Sequence, residues 1–436
     1  MSTHLKQERT SDACSEPAPK PTQPDIIGVD DRVEIARAIP LGIQHMMSMF
    51  GSTVLVPVLT GLNPNIAIMC SGIGTIIYLL MTRNRIPSYL GSSFAFISPI
   101  LVATAATGNV HTALSGVVCA GAVFLIISAV IKLVGTSWLD ALFPPVLIAC
   151  VMVVIGVGLS STAVKMALTS STGVFIPNAA LVSLVVLLAA VIFSSCKGIV
   201  GTLPVLLAIL VGYVLSAALG MVDLQGVIDA AWFGLPAVQM PHFSIQAAIL
   251  IAPVAIVVVI EHIGHLLAVG EIVGKDFRKM LPQSLAADGI STCISGFLGG
   301  PPTTTYAENI GVMSVTRVYS TQVFWYAAGF ALIVGGFCPK VSAFINSIPV
   351  PVMGGVSLLL FGLIASNGLR MLVTNAVDFN ENHNLMIASA VIIIGVGMET
   401  AGLTIPVGDY EIPGMACATL LGIVLNALLT LIRKRA

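Results

Sequence analysis

Apolar runs separated by short polar punctuation fill most of this chain. A helix that crosses a bilayer needs roughly 20 apolar residues, and reading the runs against that length predicts fourteen segments. They cover 41–61, 66–82, 87–106, 112–131, 141–160, 179–195, 199–220, 244–267, 285–298, 304–316, 321–339, 350–366, 384–399 and 414–432. The third and tenth are interrupted by Gly, Pro, Ser and Thr. Residues 1–40 differ: they are polar, contain Pro17, Pro19, Pro21 and Pro24, and carry seven of the twenty acids. They read as a disordered cytoplasmic tail, without the apolar core and cleavage site of a secretory signal.

Composition sharpens the class. The chain is 56% hydrophobic and 9% charged, against about 25% charged in soluble domains, which excludes a water-soluble fold. A net charge of -1 without a basic arm excludes a nucleic-acid surface. The eight cysteines stand singly, with no CxxC pair or disulfide framework, and read as small buried hydrophobes.

Charge placement orients the segments. With a cytoplasmic N-terminus, fourteen spans put every basic residue inside except Lys165 and Lys340, as the positive-inside rule requires. One span more or fewer would reverse the later loops. The expected fold is therefore an all-α polytopic membrane protein with both termini cytoplasmic, 433–436 being the C-terminal end.

The two halves echo each other. QHMMSMFG at 44–51 is matched by EHIGHLLAVG at 261–270, PSYLGSSFAFISP at 87–99 by GGPPTTTYAENIG at 299–311, and FPPV at 143–146 by IPVPVMGG at 348–355. Each pair is seven spans apart, an odd number, so the second half is inverted relative to the first. Inverted repeats with interrupted helices at matching positions mark a secondary transporter, whose site lies at the interruptions.

Those interruptions carry the candidate chemistry. Gly91-Ser92-Ser93 and Thr303-Thr304-Thr305 lie beside Pro87 and Pro301-Pro302, and proline disfavours helix in the residue before it. Each reads as an extended stretch leading into a half-helix, with free backbone groups directed at one spot. Non-helical backbone at membrane depth needs protein or a wet cavity around it. Glu261, after the apolar run 249–260, and Glu308 are ionisable groups where hydrocarbon is expected, a functional signal. His265 shares a helical face with Glu261, and burial disfavours charge on both, so the pair can exchange a proton. His262 points away and reads as a packing or helix-end residue. Gln44 and His45 match Glu261 by repeat symmetry and either line the same cavity or pack between helices. Asn309 caps the half-helix or holds the Glu308 carboxylate. Tyr306, Phe94 and Phe96 either stack on a flat ligand or are lipid-facing or core aromatics. Asp288 and Glu399 fall near predicted span ends and read as solvated or supporting groups. The HExxH order of a zinc protease, a Walker motif and a GxGxxG loop are absent, so no metal and no cofactor are expected.

AENIGVMSVTR at 307–317 resembles the signature of the nucleobase/ascorbate transporter family, the nucleobase–cation symporters. YLGSSFAFISP, VIEHIGHLL, GISTCISGFLGG and VPVMGGVSLLLFG are similar to its uracil permease branch, and the resemblance runs from about Arg32 to the C-terminus. It implies fourteen spans in two inverted sevens. Residues 41–131 and 244–339 would form a core domain, the latter broken around 299–311, and 141–220 and 350–432 a gate domain. It also implies proton symport, and a homodimer formed through the gate domains. Glu261 and Glu308 would hold the base, with backbone at Phe94 and Ala307 completing the hydrogen bonds and Tyr306 flanking the site. His265 would join Glu261 in proton coupling, and Ser93, Thr305, Gln44, His45 and Asn309 would support them. Purine-transporting relatives tend to have Gln at the Glu308 position. Uracil permeases often have Gly where this chain has Ala307, whose methyl group leaves the N–H intact but crowds a ligand.

The expected function is thus import of uracil or a related pyrimidine with a proton across the cytoplasmic membrane by alternating access. The rival readings are a purine or anion carrier on the same architecture, an intramembrane enzyme using Glu261 and His265, and a passive channel.

Overall fold

Lipid offers backbone N–H and C=O groups no partners, so apolar runs of this length satisfy them internally as helices. The computed structural model describes residues 26–435 apart from 137, 139–141, 171, 408 and 409, and most of them are helical. The expected disordered tail lies outside the described residues as far as residue 25. Its last part is packed rather than loose. Ile27 bridges to Val318, Ser320 Oγ donates to the Asp31 carbonyl at 2.6 Å, and the first helix already begins at Ile35. Ile27, Val29 and Val33 supply apolar contacts there that the surrounding charges conceal in the sequence.

In chain order the longer helices are α1 (Ile35–Ser48), α2 (Phe50–Thr60), α3 (Pro64–Met81), α4 (Ile97–Thr107), α5 (Val110–Val134), α6 (Pro145–Gly158), α7 (Ser160–Leu168), α8 (Pro177–Ser194) and α9 (Pro204–Ala218). They continue as α10 (Ile245–Ile251), α11 (Val254–Val273), α12 (Leu281–Leu298), α13 (Ala307–Thr316), α14 (Thr321–Phe337), α15 (Pro339–Asn346), α16 (Val350–Thr374), α17 (Asn382–Ala401) and α18 (Gly414–Arg435). Starts follow local chemistry: the Asn63 and Asn109 side chains accept from the N–H groups of Asn65 and His111 at 2.9 and 2.8 Å, capping α3 and α5.

Among the described residues nine helical spans are long and apolar enough to cross a membrane, or ten if α14 and α15, bent by 81°, are one. The remaining predicted segments hold helices that are short (α4, α9, α13) or, in α12, diluted by Ser284, Asp288, Ser291 and Thr292. Helix α7 and a hairpin of β3 (Thr404–Val407) and β4 (Tyr410–Pro413) fall between predicted segments, being too short for a span-length window.

Packing separates the helices into two sets. Helix α12 lies against α3 and α5, α14 against α1 and α3, and α10 against α4 and α5. In the other set α6 lies between α16 and α17, α18 against α17 and α6, and α8 against α9 and α16. Contacts between the sets are sparser and run through α11–α6, α1–α9, α2–α16 and α10–β4.

The breaks in the third and tenth segments are short strands, β1 (Leu90–Ser92) and β2 (Thr303–Thr305), paired antiparallel with Leu90 opposite Thr305 and Ser92 opposite Thr303. The Ser93 N–H donates to the Pro302 carbonyl at 2.9 Å, and the Leu90 and Thr303 N–H groups donate to Thr75 Oγ1 and Thr292 Oγ1 at 2.9 and 3.1 Å. Part of the backbone expected to be free for a ligand is therefore used by strand pairing and threonine side chains. An unpaired buried N–H costs about as much as a lost hydrogen bond, which favours this arrangement.

Candidate functional site

The strand crossing aims the start of α13 at the middle of α11. Tyr306, which precedes α13, makes no capping hydrogen bond with its side chain. The first-turn N–H groups of a helix have no intrahelical partner; in α13 that of Glu308 is taken up by its own carboxylate, and the others need a partner from outside the helix.

A cavity of about 510 Å³ opens beside that turn. Glu261, Gly264 and His265 of α11 and Ala307, Ile310 and Gly311 of α13 form one wall, and Ile148, Met152, Asn367 and Arg370 of α6 and α16 form the other. Each helix set thus contributes a wall. The mouth lies at the exposed residues Ser314, Arg370, Thr374 and Asn375. A narrower apolar recess continues past Glu261 to Phe94, Phe143 and Ile364.

Glu261 is half-buried, and among the described residues none donates it a hydrogen bond. It lies within Coulombic reach of Glu308 and Asp288. Glu308 sits in the first turn of α13, with Ser52 as the side-chain hydrogen-bond partner of both Glu308 and Tyr306. The two glutamates approach each other: Glu261 lines the cavity, and Glu308, half-buried like Glu261, directly follows the lining residue Ala307.

Tyr306, in contrast, is buried behind the wall. Its hydroxyl donates to the Ser92 carbonyl, and its ring is perpendicular to that of Phe94 with centroids 6.4 Å apart. The ring covers Gly91, where a Cβ would come within 2.6 Å of Tyr306 Cε2, so only glycine lets strand and ring share this space. Phe94 borders the apolar recess, and Phe96 is fully buried.

His265 lines the cavity with Nδ1 3.3 Å from Thr305 Oγ1. The buried His45 pairs through Nδ1 with Asn309 Oδ1 at 2.7 Å, and Gln44 Nε2 donates to Thr202 Oγ1 at 2.7 Å. Gln44 and His45 therefore occupy packing positions and stand off the cavity wall. Ser93 is buried at the turn between β1 and Phe94.

A second polar cluster eluded the sequence reading. His262 is fully buried, with Nδ1 2.8 Å from Asp288 Oδ2 and Nε2 2.7 Å from Ser284 Oγ, and Ser284 contacts the Tyr78 hydroxyl at 2.7 Å. An ionised carboxylate only accepts, so His262 Nδ1–H donates to Asp288, Ser284 donates to Nε2, and Tyr78 donates to Ser284. Thr304 Oγ1 adds a bond to Asp288 at 3.2 Å. The reading of Asp288 as a solvated span-end group is thus corrected: α12 begins at Leu281, which puts Asp288 in mid-helix and fully buried. An acid inside an apolar run was the available signal. Glu399 does lie near a helix end, where it accepts from Ser98 Oγ at 2.7 Å and from the Met415 N–H at 2.8 Å, joining α4 of one set to α17 and α18 of the other.

The sequence pattern of the Permease family matches residues 36–403. The uracil permease of Paenibacillus larvae is 45% identical over 417 residues, covering 94% of this chain and 98% of that protein. The uracil permease of Escherichia coli K12 is 44% identical, covering 93% and 94%, and the putative pyrimidine permease RutG of that organism is 40% identical, covering 94% and 93%. Among solved structures, the murine solute carrier 26 family member A9 anion transporter in its inward-facing state superposes with a TM-score of 0.71 at 10% identity, covering 92% of this chain and 69% of that one. The transmembrane domain of the cyanobacterial bicarbonate transporter BicA gives 0.62 at 15%, covering 92% and 99%. At such identities the likeness is one of fold.

Proposed function

We propose that this chain, which belongs to the Permease family, is a secondary transporter that carries uracil or a closely related pyrimidine base together with a proton. The carrying observation is the cavity at which Glu261 and the start of α13 meet. Uracil is flat and neutral, with two ring N–H donors and two carbonyl acceptors. A carboxylate accepts only, which suits the N–H edge, and N–H groups at a helix start suit the carbonyls. A volume of about 510 Å³ falls in the range of small-molecule sites. The names of the relatives point to the same substrate class.

On this reading Glu261 and Glu308 grip the base with backbone at Phe94 and Ala307, and Tyr306 orders the crossing behind them. His265 shares the coupling proton with Glu261, while Ser93, Thr305, Gln44, His45 and Asn309 hold these groups in place. The fourteen helical segments are two inverted sevens in the cytoplasmic membrane. The set containing α3, α5, α12 and α14 is the core, and the set containing α6, α8, α16 and α17 is the gate through which two copies pair. With both termini in the cytoplasm the cavity mouth faces inward, and rocking of core against gate would open the other side.

Uptake of radiolabelled uracil into proteoliposomes, competed with thymine, 5-fluorouracil, xanthine and uric acid, tests the assignment. Competition by the pyrimidines alone supports it. Competition by xanthine or uric acid at least equal to that by thymine would move the chain to a purine carrier, and chemical turnover of the base would make it an enzyme.

A further inference from the structure

We propose that the segment between α9 and α10 is a lipid-binding strap that seats the site-bearing helix set in the bilayer interface, with Trp232 and Lys340 as its headgroup site. Residues 231–242 cross the ends of four helices and are tied down by backbone hydrogen bonds. Gly234 N–H donates to the Phe337 carbonyl at 3.1 Å, Lys340 N–H to Ala231 at 3.2 Å, Gln239 N–H to Leu298 at 3.1 Å and His242 N–H to His111 at 3.0 Å. Gly234 lies so close to the α14–α15 bend that a Cβ would come within 2.8 Å of Pro339 Cγ. The backbone is thus fixed by the fold, and so are the directions of its side chains.

Those side chains are large, apolar and outward. Trp232 is 67% exposed and Phe233 and Leu235 are each 87% exposed. Single exposed hydrophobes need no explanation, but a contiguous group on a pinned backbone marks a surface that something covers. Position decides what covers it. The strap joins the end of α9 to the start of the span Ile245–Val273, whose other end reaches the cavity mouth. It therefore lies at the opposite boundary of the membrane-length helices, where Trp is enriched because one part of its ring is apolar and the other polar. Lys340 Nζ stands 4.8 Å from the Trp232 ring centroid, so the aromatic group that would enter the acyl region carries a cation at headgroup level, complementary to a lipid phosphate. Phe297 and Phe337, half-exposed at the ends of α12 and α14, continue the apolar surface into the lipid-facing flanks. A bilayer interface fits this whole pattern.

Because the chain has three tryptophans, replacing Trp138 and Trp325 with Phe leaves Trp232 as the sole reporter. Reconstituted into liposomes, that variant should lose most of the acrylamide quenching it shows in detergent-free unfolding buffer. Quenching by lipids brominated near the glycerol end of the acyl chain should exceed quenching by lipids brominated near the methyl end, as expected for insertion of about 5–10 Å. Exchange of phosphatidylcholine for phosphatidylglycerol should reduce acrylamide access further, and Lys340→Gln should remove that dependence. Undiminished acrylamide quenching in liposomes would overturn the proposal. So would shielding from both acrylamide and brominated lipid, which would place protein over the strap, and so would a lipid preference unchanged in Lys340→Gln. None of these readouts depends on the transported substrate.

Discussion

Replacing Glu261 with Gln isolates the charge at the site while keeping its shape. Glu261 lines the cavity and none of the described residues donates it a hydrogen bond, so a bound base is its natural partner. Hydrogen bonds to charged groups contribute about 1.5–3 kcal/mol and neutral ones about 0.5–1.5. The substitution should therefore weaken binding by about 1.5 kcal/mol, roughly tenfold in Kd. Its effect on coupling should be larger. A proton carried inward through 100 mV contributes about 2.3 kcal/mol, roughly fifty-fold accumulation, and a carrier without the titrating carboxylate would forgo all of it. Proteoliposomes with an imposed potential and radiolabelled uracil measure both quantities. Glu261→Gln should bring the internal and external concentrations to equality while still exchanging labelled for unlabelled base in counterflow. If it concentrates uracil as the wild type does and loses the gradient on addition of an uncoupler, Glu261 is not the coupling group.

Three further perturbations probe the walls, the buried pair and the closed end. A Cβ at Gly264 would meet nothing within 4 Å, so Gly264→Leu should fold with an unchanged melting temperature yet abolish uptake by filling the cavity. Asp288→Asn takes the charge from the buried partner of His262. The bonds it accepts from His262 Nδ1 and Thr304 Oγ1 become neutral ones, worth about 0.5–1.5 instead of about 1.5–3 kcal/mol each, and thermal unfolding in detergent should show a lower Tm. Ser98→Ala removes the donor that ties α4 to Glu399 across the two sets. A bond of about 1.5–3 kcal/mol lost there should speed alkylation of a cysteine introduced at Leu101, in the adjoining pocket, by about tenfold or more.

Much of this architecture was legible because the constraints are local. Span length, proline position and glycine placement located the helices and both strand breaks, although α1 starts six residues earlier and α16 runs eight residues further than predicted. Glu261, His265 and Ala307 were found on the cavity wall because an acid in an apolar run and a helix start after a proline pair are visible in one dimension. What stayed hidden depends on partners far away in sequence. His262 and Asp288 are 26 residues apart, and although Asp288 alone was a signal, its pairing with His262 was not. The pairing of β1 with β2 spans more than two hundred residues, so the share of free backbone it uses was invisible. Tyr306 illustrates the same point: its sequence position was evident, but its burial behind the wall depends on the β1 strand to which its hydroxyl is bonded.

The arrangement gives the proposed rocking a physical basis. A ligand shifts a conformational equilibrium only by its difference in affinity between the two states, so it must touch parts that move relative to each other. Here it would touch α11 and α13 on one side and α6 and α16 on the other, one wall from each helix set. At the end away from the mouth the two sets meet in a small group of contacts: the Ser98–Glu399 bond and the packing of β4 against α10. Few bonds of about 1.5–3 kcal/mol each can be offset by one proton and one base, whereas an extensive interface could not. The sparse contact between the sets is thus a requirement of the mechanism. The strand pairing, in contrast, belongs wholly to one set, which in the proposed rocking would let the site travel intact while its opposite wall changes.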